Sequence, residues 1–229
     1  MPEMMLKRTW THASVVGVEN GFVVYLDGAS LSTPEQRVVQ VPTPKLAEAL
    51  QHEWQHAPKK FVPMQHMPLS VLVITALDHI APHPHTIAHP LRRWLETDLL
   101  HHPSPSPEAL KIRQEKLWTP EVEWFERATG RPATTPLPHD FFHSLCPFTL
   151  AALQQLTEAT GSFILAYGAL KGRYADAAQI LEISETEVLF QAQHWGMDPD
   201  TEQKLSARQA QIGHGLDLLT LLHSENDPC

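Results

Sequence analysis

His52-Glu53-Trp54-Gln55-His56 matches the H-e-x-x-h pattern of zinc hydrolases in residue type and spacing. On a helix, residues four apart project from one face, so the two imidazoles would hold a zinc ion while the glutamate between them takes a proton from metal-bound water. A third ligand would come from another helix, with Glu96 and Asp98 as candidates. Three features weigh against this chemistry. With fifteen histidines and seventeen glutamates in 229 residues, independent placement produces the five-residue pattern about once in fourteen such chains. The continuation Ala57-Pro58-Lys59-Lys60 lacks the glycine and third histidine of the longer zinc-protease signature. Pro58 also closes the helix directly after the second histidine. The plainer expectation is a helix whose Trp54 packs into a core while His52 and His56 flank it in solvent.

Other reactive residue types fall in less ordered patterns. His83, His85 and His89 are interrupted by prolines, and the adjacent His101 and His102 point apart on any helix. Cys146 precedes Pro147 in an apolar stretch, where a buried structural thiol is expected rather than a nucleophile. The sequence contains no nucleophile elbow, phosphate loop or dinucleotide glycine fingerprint.

Composition narrows the function classes further. The formal net charge is −9, which disfavours nucleic acid or an anionic membrane surface as a partner, because both require a cationic face. Two cysteines, Cys146 and Cys229, give no disulfide framework and no four-cysteine zinc site, and a reducing compartment fits best. The N-terminal MPEMMLKRTW reads as neither a secretory leader nor a transit peptide. The stretch from Leu150 to Leu170 is broken by Gln154, Gln155, Glu158 and Gly161, so no membrane insertion is expected.

The elements that must position these residues follow from the hydropathy period. Ala13 to Val18, Phe22 to Leu26 and a run ending at Val41 alternate like strands, with turns at Glu19-Asn20-Gly21 and Asp27-Gly28; the spacing predicts a small β-meander. Thr43 then caps a helix with Pro44 at its first position, continuing through Leu46, Ala49, Leu50 and Trp54. A second helix is predicted from Leu69 to Ile80, and the proline-rich stretch 81–85 marks a division. Beyond it the expected helices are Leu91–Leu100, Glu108–Thr129, Pro147–Leu170, Ala175–Trp195 and Thr201–Leu222. The fold class is therefore α+β, with a β-rich domain over 1–82 and a multi-helix bundle over 83–229.

One series of short segments runs through the chain in a recognisable order. It comprises Ala13-Ser14-Val15, Leu26-Asp27-Gly28, Thr33-Pro34, Val41-Pro42-Thr43, Leu46-Ala47-Glu48-Ala49, Glu53-Trp54 and Met67-Pro68-Leu69. In the helical half it continues with Glu96-Thr97-Asp98-Leu99-Leu100, Arg113-Gln114, Trp118, Thr160-Gly161-Ser162, Glu187, Phe190-Gln191 and Trp195-Gly196. In this order the sequence resembles the ATP synthase F(1) assembly chaperones of mitochondria and alphaproteobacteria. His101-His102-Pro103 stand where members often carry tyrosine and arginine, and Val188, Leu189 and Gln193 make the last segment less acidic than usual.

The resemblance implies an N-terminal β-rich domain, a C-terminal orthogonal helical bundle, and a chaperone that binds the unassembled alpha subunit of the F(1) sector. It implies no enzyme, no cofactor, no metal and no small-molecule substrate; the zinc hydrolase is the alternative. The expected compartment is a bacterial cytoplasm, or the mitochondrial matrix for a mature organellar form. Glu187 is the acidic position carried over as a binding candidate, set against an ordinary surface glutamate. Trp195 and Trp54 are candidate anchors, since tryptophan dominates interface energetics, set against core packing. Glu96 and Asp98 complete the candidates, although carboxylates inside an apolar helix more often cap or pair structurally.

Overall fold

The computed structural model describes residues 5–223. The first four residues and Cys229 lie outside that range. Strands β1 (Leu6–Lys7), β2 (Ala13–Val18), β3 (Gly21–Leu26), β4 (Ala29–Ser30), β5 (Gln40–Val41) and β6 (Lys60–Phe61) are followed or interrupted by helices α1 (Pro44–His56), α2 (Pro63–His66) and α3 (Pro68–Thr75). Then come α4 (His85–Trp94), α5 (Glu108–Thr129), α6 (His139–His143), α7 (Pro147–Thr160), α8 (Phe163–Leu170), α9 (Ala177–Ser184), α10 (Thr186–Trp195) and α11 (Pro199–Leu222). The α+β class is as expected. By internal contact the described residues form two compact units: one comprises 5–86, His143–Ala151 and 217–223, and the other Ile87–Phe142 and Ala152–Leu216.

In the first unit, β2 pairs antiparallel with β3, and β3 pairs with β4 and β5. The register Val18↔Gly21 makes Glu19-Asn20 the turn of the first hairpin and moves Gly21 into the strand. Gly21 is there for a different reason from the turn chemistry expected: its φ is 137°, and a Cβ at this position would run into the carbonyl of Val41. Asp27 and Gly28, with φ 48° and 87°, do form the positive-φ turn between β3 and β4 that their types demand. The Asp27 carboxylate also accepts the backbone N–H groups of His12 and Thr11 at 2.9 Å, and these bonds hold its pKa below the usual carboxylate range.

Helix α1 starts where the sequence dictates, because the Thr43 hydroxyl accepts the N–H of Leu46 at 3.2 Å. The same hydroxyl donates to the carbonyl of Leu221 at 2.6 Å, satisfying an orphan acceptor in the last turn of α11. Leu46, Ala47 and Leu50 turn inward with Ala13, Val24 and Val41 from the sheet, and all six are buried. Helix α3 stops at Thr75 and gives way to a π turn over Ala76–Ile80. There the buried Asp78 takes the Thr33 hydroxyl at 2.7 Å and the Arg37 guanidinium at 3.1 Å.

The second unit is all-helical but more broken than the hydropathy run predicts. The helix expected over Leu91–Leu100 begins at His85, passes through Pro90, ends at Trp94, and continues as two single turns separated by Asp98. Asp98 breaks the run because its side chain accepts the N–H of Leu100 at 3.1 Å, offering the backbone a cap in place of the next helical bond. The expected Pro147–Leu170 helix is two, parted at Gly161, whose φ is 70°; Ser162 caps the second piece through the N–H of Leu165. The expected Ala175–Trp195 helix likewise splits at Glu185. Helix α5 keeps its full predicted span with Pro120 inside it.

Phe125, Phe142, Phe163 and Tyr167 pack as the aromatic centre of this unit, with ring centroids 5.1 Å apart for Phe125 and Tyr167 and 5.7 Å for Phe142 and Phe163. The Cys146 sulfur lies 3.4 Å from the Thr149 hydroxyl in the first turn of α7. No described helix is long and apolar enough to cross a membrane.

Candidate functional site

The zinc-motif residues occupy one helix, as predicted, but their geometry is not that of a hydrolase. Both oxygens of Glu53 are committed: one accepts the N–H of Leu69 at 3.0 Å, the other the N–H of Ser70 at 2.9 Å together with the Ser70 hydroxyl. The carboxylate therefore caps the N-terminus of α3 and does not face an open position beside the histidines. Burial raises its pKa, against the lowering effect of the Ser70 and Leu69 bonds. Among the described residues, no three His, Cys, Asp or Glu side chains form a group able to hold a metal ion.

Trp54 sits in the first unit, half-buried. Its ring packs 4.9 Å from Trp10 and 6.5 Å from Phe61, and its Nε1 donates to the Ser70 hydroxyl at 2.9 Å. These contacts give it a packing role within α1's surroundings.

The remaining candidates lie in the second unit, where a groove of about 650 Å³ opens beside the N-terminal turn of α10. Leu99 and Gly161 line one wall of it, and Asp98 lies behind them. Its side chain is fully buried, accepting Leu100 N–H and Ile164 N–H, each at 3.1 Å, and the Leu99 N–H donates to the Gly161 carbonyl at 3.1 Å. Trp94 closes the same joint, its Nε1 donating to that carbonyl at 3.1 Å. Burial pushes the Asp98 carboxyl pKa up, opposed by the bonds from Ser162, Ile164 and Leu100. Asp98 thus holds Leu99 and Gly161 in the groove wall and presents no surface of its own.

The opposite wall carries the polar groups. Glu187 is exposed in the first turn of α10 and accepts from Gln191 at 3.3 Å. Glu158 is exposed on α7, accepting from Gln154 at 2.9 Å. Glu185 pairs with Arg208 at 2.8 Å. Three carboxylates against one guanidinium leave the groove acidic, with a His102 side chain and the Gln114 amide along its edge. Arg113 fastens α5 to α10 by donating to Gln193 at 2.6 Å.

Trp195 ends α10, the helix that carries Glu187, and is 76% exposed; Met197 beyond it is exposed as well. Gly196, with φ 90°, stops the helix there. A tryptophan left in water at the end of a helix is the type of residue that anchors a partner. Glu96 lies apart from the groove, exposed and 3.5 Å from Arg93.

The structure therefore brings Glu187 and the loop held by Asp98 to one groove, sets Trp195 at the far end of the same helix, and leaves Glu96 and Trp54 elsewhere. Sequence reasoning missed Glu158 and Arg208, which reach the groove from α7 and α11; nothing in their local patterns distinguishes them from solvated helix residues.

The profile of a family described as ATP12 chaperone protein matches residues 7–126. A mitochondrial protein of Schizosaccharomyces pombe, protein atp12, is 27% identical over 231 residues, covering 89% of this chain and 78% of the relative. The crystal structure of Atp12 from Paracoccus denitrificans is similar with a TM-score of 0.84 at 29% identity, covering 95% of this chain and 98% of that one. A protein of Agrobacterium tumefaciens described as a putative chaperone matches with a TM-score of 0.86 at 28% identity, covering 96% of this chain and 87% of that one.

Proposed function

We infer that this chain, which belongs to the ATP12 chaperone family of ATP synthase assembly factors, binds the unassembled alpha subunit of the F(1) sector and promotes assembly of the alpha/beta head. The observation that carries the reading is the likeness to Paracoccus Atp12 over 95% of this chain, spanning both compact units. The ordered segments from Ala13 to Gly196 support the choice of the alpha subunit, because they are the pattern from which that partner was expected. A ring subunit awaiting its neighbours exposes apolar interface, and an escort that covers it reversibly prevents aggregation without any catalytic step.

Within this reading the acidic groove with Glu187, and Trp195 at the end of α10, are the surface offered to the client. Asp98 acts on it through the Leu99–Gly161 joint. The escort works in a bacterial cytoplasm, or in the mitochondrial matrix for an organellar form. The test is co-purification with separately expressed alpha and beta subunits. Retention of alpha and not beta is the expected result; retention of beta alone, or of neither, overturns it.

A further inference from the structure

On the solvent side of α1, one turn apart, the His52 and His56 rings lie with centroids 4.1 Å apart and planes 33° from parallel. Both are exposed, and neither is drawn into the capping bonds that occupy Glu53 between them. We propose that His52 and His56 form a two-imidazole chelate that binds one late first-row transition-metal ion, with Cu²⁺ held more tightly than Ni²⁺ or Zn²⁺. It is a binding site without chemistry, and it is independent of the chaperone reading.

Four observations support it. Positions four apart on a helix present their side chains on one face, which is the spacing a single ion spans. The Nδ1 of His56 lies 2.8 Å from the His52 carbonyl, so the proton sits on Nδ1 and the Nε2 lone pair is left for a metal. The helix beneath is fixed: Thr43 caps it, Trp54 and Glu53 tie it to Ser70, and Gln51 and Gln55 bond the Ala13 backbone at 3.0 and 2.7 Å. The imidazoles therefore lose little backbone freedom on binding, and this preorganisation favours the chelate. With no third protein ligand among the described residues, water completes the coordination. Imidazole donors and the Irving–Williams order select Cu²⁺ first.

The experiment titrates the intact protein at pH 7.5 with Cu²⁺, reading stoichiometry by calorimetry and ligand type by electron paramagnetic resonance, beside thermal melts with and without the ion. The expected result is one tight ion per chain with nitrogen hyperfine structure from two imidazoles. His56→Gln should weaken it at least tenfold, and melting should rise with Cu²⁺ in the natural chain but not in that variant. His83→Gln with His85→Gln, altering a pair 6.0 Å apart, should leave the tight site unchanged. An equally tight site in the doubly substituted His52→Gln, His56→Gln chain, or no tight site in the natural one, overturns the proposal. So does a loss of the site that follows the His83 and His85 substitutions instead.

Discussion

The Glu53 carboxylate accepts the backbone N–H of Ser70 at 2.9 Å and thereby ties α1 to the first turn of α3. This bond decides between two readings of one pentapeptide. A general base must hold a free oxygen toward its water, and Glu53 has both oxygens engaged.

Replacing Glu53 by Ala should destabilise the first unit by about 2 kcal/mol, because it leaves the Leu69 and Ser70 N–H donors without their acceptor. Burial sets its carboxyl pKa above the unfolded value, so the folded state holds the proton more tightly. The contribution is then complete below pH 4.5 and declines as pH rises through the folded value, so the deficit of the variant should be larger at pH 4 than at pH 8. Urea unfolding at the two pH values measures it; an equal or reversed deficit contradicts the assignment.

The groove makes a separate prediction about exposed residues. Trp195→Ala should weaken capture of the alpha subunit by about 30-fold if it anchors the client, the effect of losing about 2 kcal/mol at a hot spot. Glu187→Gln should weaken capture as well. Both positions are exposed, so melting temperature should not move. Asp98→Ala, in contrast, should lower stability and capture together, since it removes the acceptor for Leu100 and Ile164. Unchanged capture with Trp195→Ala and Glu187→Gln would move the client surface away from α10.

In the second unit, Glu121 accepts Arg173 Nε at 2.7 Å and the Tyr174 hydroxyl at 2.6 Å, while Arg173 stacks 4.8 Å from the Trp124 ring centre. Glu121→Ala should cost about 3 kcal/mol, because it leaves a half-buried guanidinium and a buried hydroxyl without their acceptor. Tyr174→Phe should cost about 1 kcal/mol. The double variant should cost less than the sum, since both interactions run through one carboxylate. Additive losses in denaturant melts would break the network account.

Gly161→Ala should destabilise by about 1 kcal/mol, the penalty of a side chain in the left-handed region. A Cβ there meets Leu99 at an ordinary 3.7 Å, so the loss is conformational and not steric. A neutral or stabilising result from calorimetric melts would show that the α7–α8 break does not depend on glycine.

Local chemistry in the sequence was enough to place Thr43 as a cap, Asp27-Gly28 as a turn and α5 from Glu108 to Thr129, because propensity, capping and hydropathy agree at those positions. It also supplied the order of segments by which the family was recognised. Tertiary structure decided where long apolar runs break. Asp98 and Gly161 interrupt helices that periodicity would have continued, because the Asp98 side chain accepts the distant Ile164 N–H and the Gly161 carbonyl accepts the distant Leu99 N–H. It likewise decided the fate of Glu53, whose spacing from two histidines is a property of α1 but whose bonding is set by Ser70. The groove beside Glu187 was not legible at all: its walls come from α5, α7, α10, α11 and the turns around Leu99, and only packing brings such distant residues together.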